Sequence, residues 1–536
     1  MVRLMVVLML ELCLVSFGQT FQTSNLPILI VDCPQSIPDE PKTTATLKII
    51  DNAPGQLNNI TDPPNGYNGF IGIELRGSTS QGLSAKKPYG IETRDALGNE
   101  ILVSLLGMPA ESDWALIAPY SDKSLMRDAL AYLLAGKIMP YAPRVRFCEL
   151  VLNGAYQGVY VLAENIKRDA NRVNISKLTN LDISGDNLTG GYILKIDKPT
   201  GGAGVDGWTS PRTPSIFYQL HYPKPDVILP EQRQYIFGFL EQFEQVMASE
   251  GYKNPVTGYQ SILDIDTFVD FLIVNELARN VDGYRLSTFL YKDKNSKDPR
   301  LKMGPVWDFN ITFGNANYCK GGDVTGYAYD FNSVCPGDFW QVPFWWNRLL
   351  SDNTFRLKVG NRWKNLRQDR FSDQSLLLKV DSMATLLASA SVRNFQTWDI
   401  LGTWIWPNNF VGGSYANEVS YLKTWIINRA AWLDNAFNGF LVPVYDTNDY
   451  EPPIISPNPS KDNEEVVFWY YVHDYTPVSI SIYNSNGQTV NTLIDNKHVN
   501  GWDKSVWDNP TLAAGVYYYK ILFDGKPVGT GRIIRK

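Results

Sequence analysis

The stretch Asn275–Asn315, NELARNVDGYRLSTFLYKDKNSKDPRLKMGPVWDFNITFGN, carries the pattern on which the fold turns. Just upstream and into it, Phe268, Phe271, Leu272, Val274 and Leu277 recur at helical spacing and predict a buried helix ending near Arg279. Asn-Val-Asp-Gly then reads as a turn. LSTFLYKD and RLKMGPVWDF, separated by a charged loop containing Pro299, predict a β-hairpin. A hairpin folds its ends together, so Asp282 before it and Asp308 at its end are expected to meet. Two such carboxylates could hold a divalent cation, divide general-base and metal duties, or cap turns. The residues alone leave all three open.

Working outward, residues 26–100 alternate in the manner of strands: LPILIVD, ATLKIID, FIGIELRG and KPYGIETRD, broken by Pro, Asn and Gly. They predict an antiparallel, strand-rich N-terminal layer. The polar turn RGSTSQ, followed by Lys86-Lys87, is either a solvated loop or a cover for an anion. A helix is expected after Ser121 and Asp122, with Leu125, Ala129, Leu133 and Leu134 on one stripe. FCELVLNGAYQGVYVLAENIKRD predicts a hairpin around Asn153-Gly154, and GGYILKIDK one more strand, ending in Lys195, Asp197 and Lys198. From Pro230 onward helical periods dominate. The switch suggests two lobes, and a cleft between lobes is a favoured ligand site.

At 536 residues the chain exceeds a single core. A net charge of -6 lacks the basic excess that nucleic-acid binding uses. Residues 1–18 have the early Arg3, apolar run and small-residue cleavage site of a secretory signal peptide. No later segment reads as long and apolar enough to cross a bilayer. Cys33, Cys148, Cys319 and Cys335 then form an even set in an exported chain, and disulfides are allowed. Cys319 and Cys335 bracket a Gly- and Asp-rich loop with little apolar material, so a bridge there is expected, contributing ~3 kcal/mol in the chain-entropy model. The Phe-Trp-Trp run at 344–346 reads as core, with glycan stacking by the aromatic set Trp340, Phe344, Trp345, Trp346, Trp404 and Trp406 as the alternative. Residues 439–459 are Pro-, Asn- and Asp-rich and read as a linker; residues 460–536 read as short strands of a small immunoglobulin-like β-sandwich.

Six collinear segments carry a resemblance: RGSTSQ, KKPYGIE, DWALIAPYSDKSLMRDALA, GVYVLAENIKRDANRVNI, NELARNVDGYRLSTFLYKD and MGPVWDFNITFGN. Through them residues 25–438 resemble the CotH family of atypical, secreted kinase-like proteins. The resemblance implies an α+β fold with a two-lobed kinase-like domain, a β-rich N-lobe and a helical C-lobe. It also implies ATP and a divalent metal, Mg2+ or Mn2+, and transfer of phosphate to a hydroxyl of a protein substrate. Asp282 would be catalytic, and Asp308 with Asn310 would hold the metal. Arg76 and Lys87 would face the phosphates, with Glu164 pairing Lys87 as in ordinary kinases; Lys86, Lys167 and Lys195 are rivals for the lysine role. Two departures stand out. Asn310 replaces a carboxylate that many family members carry in a Trp-Asp-Phe-Asp run, and neither a G-x-G-x-x-G loop nor a His-Arg-Asp triplet is present. A kinase-like envelope or surface protein that binds without catalysis is therefore the alternative.

PNPSKDN, SISIYNSNGQTV, WDN at Trp507, AAGVYYYKI and the terminal IIRK make residues 460–536 similar to the sorting domain of the type nine secretion system. That resemblance implies export through the periplasm to the surface or medium, with the secretion machinery as partner.

Overall fold

The computed structural model describes residues 21–77, 79–199, 206–441, 453–461, 464–508 and 512–536; for residues 79, 80 and 473–475 only the backbone is described. The expected signal peptide, Ser78 of RGSTSQ, the middle of the expected linker and the last two residues of PNPSKDN lie outside the described residues. The chain divides into two compact units, Met1–Leu349 with Asn361–Asn438, and Leu350–Gly360 with Gly439–Lys536. It is α+β with an all-β C-terminal region.

In the first unit, strands β1 (Ile28–Asp32), β2 (Thr43–Ile50), β3 (Tyr67–Leu75), β4 (Tyr89–Arg94), β5 (Asp113–Ile117), β6 (Val145–Leu152) and β7 (Ala155–Glu164) close a barrel in the order β1-β2-β3-β4-β5-β7-β6. The sequence predicted an antiparallel layer; closure comes from one parallel pair, Ile28–Val31 of β1 against Glu149–Leu152 of β6. Period-2 alternation sends Leu29 and Val31 inward to Leu47, Ile71, Trp114 and Leu162. Ile28 packs outside with Ile50 and Val151. With both faces of β1 buried, joining β6 removes two open edges at once. The β6–β7 turn is as predicted: Asn153 and Gly154 both have positive φ, 48° and 77°, which suits the two-residue hairpin between Leu152 and Ala155.

A second sheet is built from β8 (Tyr192–Ile196), β9 (Gly207–Thr209), β10 (Phe217–Tyr222), β11 (Thr288–Lys292) and β12 (Lys302–Met303), ordered β9-β10-β8-β11-β12. The expected hairpin is therefore present as β11 and β12, but shorter than the sequence suggested. Only Leu290–Met303 and Tyr291–Lys302 pair, because Gly304, at φ 105°, and Pro305, which has no N–H to donate, turn the chain out of the ladder.

Helices α1 (Arg127–Ala135), α2 (Pro230–Ala248), α3 (Ile265–Ala278), α4 (Asp373–Thr397) and α5 (Tyr415–Asn438) pack in the same unit. Pro230 opens α2 as expected, where its missing N–H costs nothing. Every residue of α3 from Thr267 to Ala278 is buried, so it runs through the core. Trp345 and Trp346 are core residues, both packed against Phe268, and Trp346 also meets Tyr284 edge-on. Contrary to the expectation of no further apolar span, α4 is long and apolar enough to cross a bilayer. Its length hides amphipathic packing: Leu376, Val380 and Leu387 are buried, and Asn394 accepts hydrogen bonds from Lys86 Nζ (2.8 Å) and from the Val159 N–H (3.0 Å) of the barrel. The Cys319–Cys335 bridge is present, and Cys33 and Cys148 are buried free thiols.

In the second unit the strands are longer than predicted. After β13 (Ile454–Ser456), β14 (Val466–Tyr483) and β15 (Thr489–Trp507) run antiparallel along their length, followed by β16 (Gly515–Phe523) and β17 (Lys526–Arg535). VVFWYYV and PVSISIYN, expected as two strands, join into β14. Pro477 is tolerated because it lies beside a break in register, where the ladder is already interrupted. β13 pairs with the first half of β14 and β16 with the second. Phe468 meets Tyr519 at 5.5 Å between ring centres and Trp507 meets Tyr517 at 5.3 Å, so both halves of the long ladder share one core.

Candidate active site

Helix α3 ends with Arg279 in the left-handed region, φ 43°, its side chain donating to the carbonyls of Lys320 (2.7 Å), Thr325 and Gly326. The turn that follows is fixed from inside. Asn280 accepts the Asp282 N–H (3.1 Å), and the Asp282 carbonyl accepts the N–H of Leu286 (2.9 Å). Gly283 is needed there because a Cβ would come within 2.5 Å of Asn275 Oδ1. The Asp282 carboxylate is partly exposed and pairs with Arg285 at 2.7 Å. Arg285 is buried, and it also donates to the carbonyls of Val281 (2.9 Å) and Trp340 (3.0 Å) and faces Asp338 at 3.4 Å.

Asp308 stands at φ 64°, a conformation Asp tolerates better than most side chains. Helix α1 holds it there. The Asp308 N–H donates to the Tyr132 hydroxyl (3.0 Å), the Phe309 N–H to Asp128 (2.6 Å), and Arg127 Nε to the Thr312 carbonyl (3.0 Å). The Tyr132 ring stacks on Trp307 at 5.7 Å. The Asp128 carboxyl, buried and facing Asp308, is pushed up to about 8 by burial first and then by that neighbour. Asp308 itself is open to solvent, yet surrounded by protein on its other sides. That enclosure first, then the charges of Asp282 and Asp197, push its carboxyl up to about 6, while Arg76 and Lys195 pull the other way. Among the described residues no group donates a hydrogen bond to its carboxylate.

The charge of Asp282 is one of those that act on the Asp308 carboxyl. Asn310, two residues on, is half-buried. Arg76 lies over the Trp307 ring at 5.2 Å and donates to Asn165 at 3.2 Å, on the Asp308 side of the molecule. Lys87 and Glu164 correct the expectation. Lys87 Nζ donates to the Gln81 carbonyl (2.6 Å), and Glu164, fully buried, pairs with Arg144 (2.7 Å), so the two are not partners. The β6–β7 register, Val145 opposite Ala163, sets Glu164 next to Arg144. Lys86 turns inward over Tyr160, its amine pushed down to about 7 by burial, and Lys167 pairs with Asp113 at 2.9 Å. Lys195, paired with Asp197 at 2.9 Å, is the rival whose charge acts on Asp308. Sequence reasoning missed the roles of Asp128, Tyr132 and Arg285, and also of Asp197, whose signal was the Lys-Ile-Asp-Lys charge alternation at a strand end.

The donor set suits a hard cation. Among the described residues no three His, Cys, Asp or Glu side chains gather closely enough to form a protein cage. Magnesium, however, takes one or two protein oxygens and completes its shell with water and phosphate. An open carboxylate with no hydrogen-bond donor, at Asp308 beside the Asn310 amide, fits that demand.

The profile of the family described as CotH kinase protein matches residues 73–433, more than half of the chain. That of the secretion system C-terminal sorting domain matches residues 455–536. The C-terminal region is therefore an address for the type nine secretion machinery, and the chain is exported to the cell surface or beyond it. No curated protein matches. A solved structure, Pseudomonas fluorescens alkylpurine DNA glycosylase AlkC bound to DNA containing an abasic site analog, is similar at 12% identity over 39% of this chain and 71% of that one. Its TM-score is 0.13, so it carries no argument.

Proposed function

We propose that this chain, which belongs to the CotH kinase protein family, is an exported phosphotransferase that moves phosphate from ATP to a protein hydroxyl. The observation that carries the reading is the exposed carboxylate of Asp308, which accepts no hydrogen bond among the described residues and on which the charge of Asp282 acts. In this reading residues 25–438 form a two-lobed kinase-like domain, with the barrel and its neighbours as N-lobe and the helices as C-lobe. Residues 439–459 are a linker, and residues 460–536 an immunoglobulin-like sandwich that serves as the sorting domain.

Phosphoryl transfer asks the protein for position and charge compensation. Asp308 and Asn310 hold the divalent cation, Mg2+ or Mn2+, which when bound offsets the charge of the phosphates. Asp282 accepts the proton of the attacking hydroxyl, and Arg285 fixes the direction of its carboxylate. Arg76, over the Trp307 ring, faces the nucleotide phosphates, with Lys195 as the second cation. Lys87 and Glu164 have no place in this mechanism, given the partners they keep.

A second reading is favoured by one observation. The Asp282 carboxylate is held by Arg285 at 2.7 Å, and Asn310 contributes no negative charge, which suits a protein that binds nucleotide without transferring phosphate. Thermal unfolding with and without ATP plus Mg2+ or Mn2+ tests both. A ligand that binds only the folded state raises stability, so a metal-dependent shift is expected in wild type and not in Asp308→Ala. Absence of the shift in wild type overturns both readings. Label transfer from ATP then separates them: Asp282→Asn is expected to lose roughly 10²–10⁴-fold in rate, and binding without any transfer in wild type leaves the second reading standing.

A further inference from the structure

Three neighbouring strands of the second sheet deliver their chains to the same end. β8 pairs antiparallel with β11 with Ile196 opposite Thr288, so Asp197 emerges where β11 begins. The loop carrying Asp282 enters β11 at that end. On the other side, Gly304 follows β12 opposite the start of β11, its N–H donating to the Phe289 carbonyl (2.8 Å), and the chain continues from there to Asp308. Asp197 and Asp308 thus leave the strands that flank the one Asp282 leads into. The charge of Asp197 acts on both of the other carboxylates. Its carboxylate pairs with Lys195, two residues earlier, at 2.9 Å and accepts the Lys198 N–H at 2.9 Å.

We propose that Asp197 is a further oxygen ligand of the divalent cation at this site, supplying the second carboxylate that Asn310 does not. The inference rests on the metal-dependent reading above. Lys195 is then the internal cation that Asp197 holds when its carboxylate is not on the metal, and it is released toward the phosphates when it is. A carboxylate from a neighbouring strand restores the charge that the amide at 310 removes, and hard cations respond to ligand charge more than to which residue carries it.

The test is a titration of the full chain with Mn2+ alone, without nucleotide, following free Mn2+ by electron paramagnetic resonance. Asp197→Asn is expected to weaken Mn2+ binding by roughly tenfold or more, and adding Asn310→Asp to that variant to restore it. Circular dichroism checks folding, and Asp197→Ser is a second variant. Wild-type affinity in a folded Asp197 variant overturns the inference and leaves Asp197 as a positioning residue for Lys195, seen as weakened ATP binding alone. Should neither variant fold, Asn310→Asp by itself decides: a small gain is expected, because the second carboxylate is already supplied, and a gain of roughly tenfold overturns the proposal. If wild type binds no Mn2+, the metal-dependent reading falls together with this inference; if it binds and Asp197→Asn binds equally, only this inference falls.

Discussion

Glu276 and Asp282 are six residues apart and show two opposite ways of keeping an acidic side chain. Glu276, at the end of α3, is fully buried and completely answered. Its oxygens accept from the N–H groups of Ala328 (2.8 Å) and Tyr329 (2.9 Å), from the Tyr284 hydroxyl (2.9 Å) and from Arg429 (3.1 Å), whose side chain is also fully buried. Asp282, with Asp308 and Asp197, faces carboxylates as well as cations, and Asp308 has no donor among the described residues. A satisfied charge holds the protein together, whereas like charges kept close around the exposed Asp308 are an expense that a bound cation or a proton would relieve.

The contrast breaks most sharply at Glu276. Glu276→Gln leaves Arg429 buried without its counter-charge, and a loss of ~3–5 kcal/mol in urea unfolding is expected; wild-type stability would show that the buried pair is not what holds α3 to α5. Asp308→Ala is the converse. Its unliganded stability should stay within ~1 kcal/mol of wild type, while the stabilisation by ATP and Mg2+, about 2.7 kcal/mol at a hundredfold excess over Kd, disappears. The smallest effect is in pH. A carboxyl pushed above its unfolded value takes up a proton on folding, so the Asp308 contribution makes stability fall as pH rises from about 4 to about 6, and not beyond. Asp308→Asn should flatten that part of the unfolding profile. Asp128, pushed up to about 8, continues the same fall at higher pH and is left in place by this substitution. A steeper profile in Asp308→Asn would mean that the carboxylate is stabilised by its surroundings after all.

What the sequence revealed was local. The end of α3, the Asn-Val-Asp-Gly turn, the Asn153-Gly154 hairpin and the Pro230 helix start all depend on contacts within a few residues, and each stands where its residues indicated. The influence of Asp282 on Asp308 fits the same rule, because a short hairpin lies between them. Barrel closure was not, since β1 and β6 pair across more than a hundred residues and nothing in either strand specifies a parallel neighbour. The expected pairing of Lys87 with Glu164 went wrong because the partner of Glu164 follows from the register with β6, and because Lys86, not Lys87, is the lysine turned inward. Asp128 lay unnoticed on a helix whose stripe was read for its leucines; its contact with Phe309 spans 181 residues of sequence.

The Cys319–Cys335 bridge closes the loop whose carbonyls receive Arg279, the residue that terminates α3 and starts the turn to Asp282. A disulfide of this kind belongs to an oxidising compartment, whereas the chain is made in a reducing one. The loop that steadies the approach to Asp282 is therefore cross-linked only after the chain has left the cytoplasm. Translocation, in that sense, is the last step of this site's folding, and chain trapped on the synthesising side of the membrane would carry the same residues without the same grip on them.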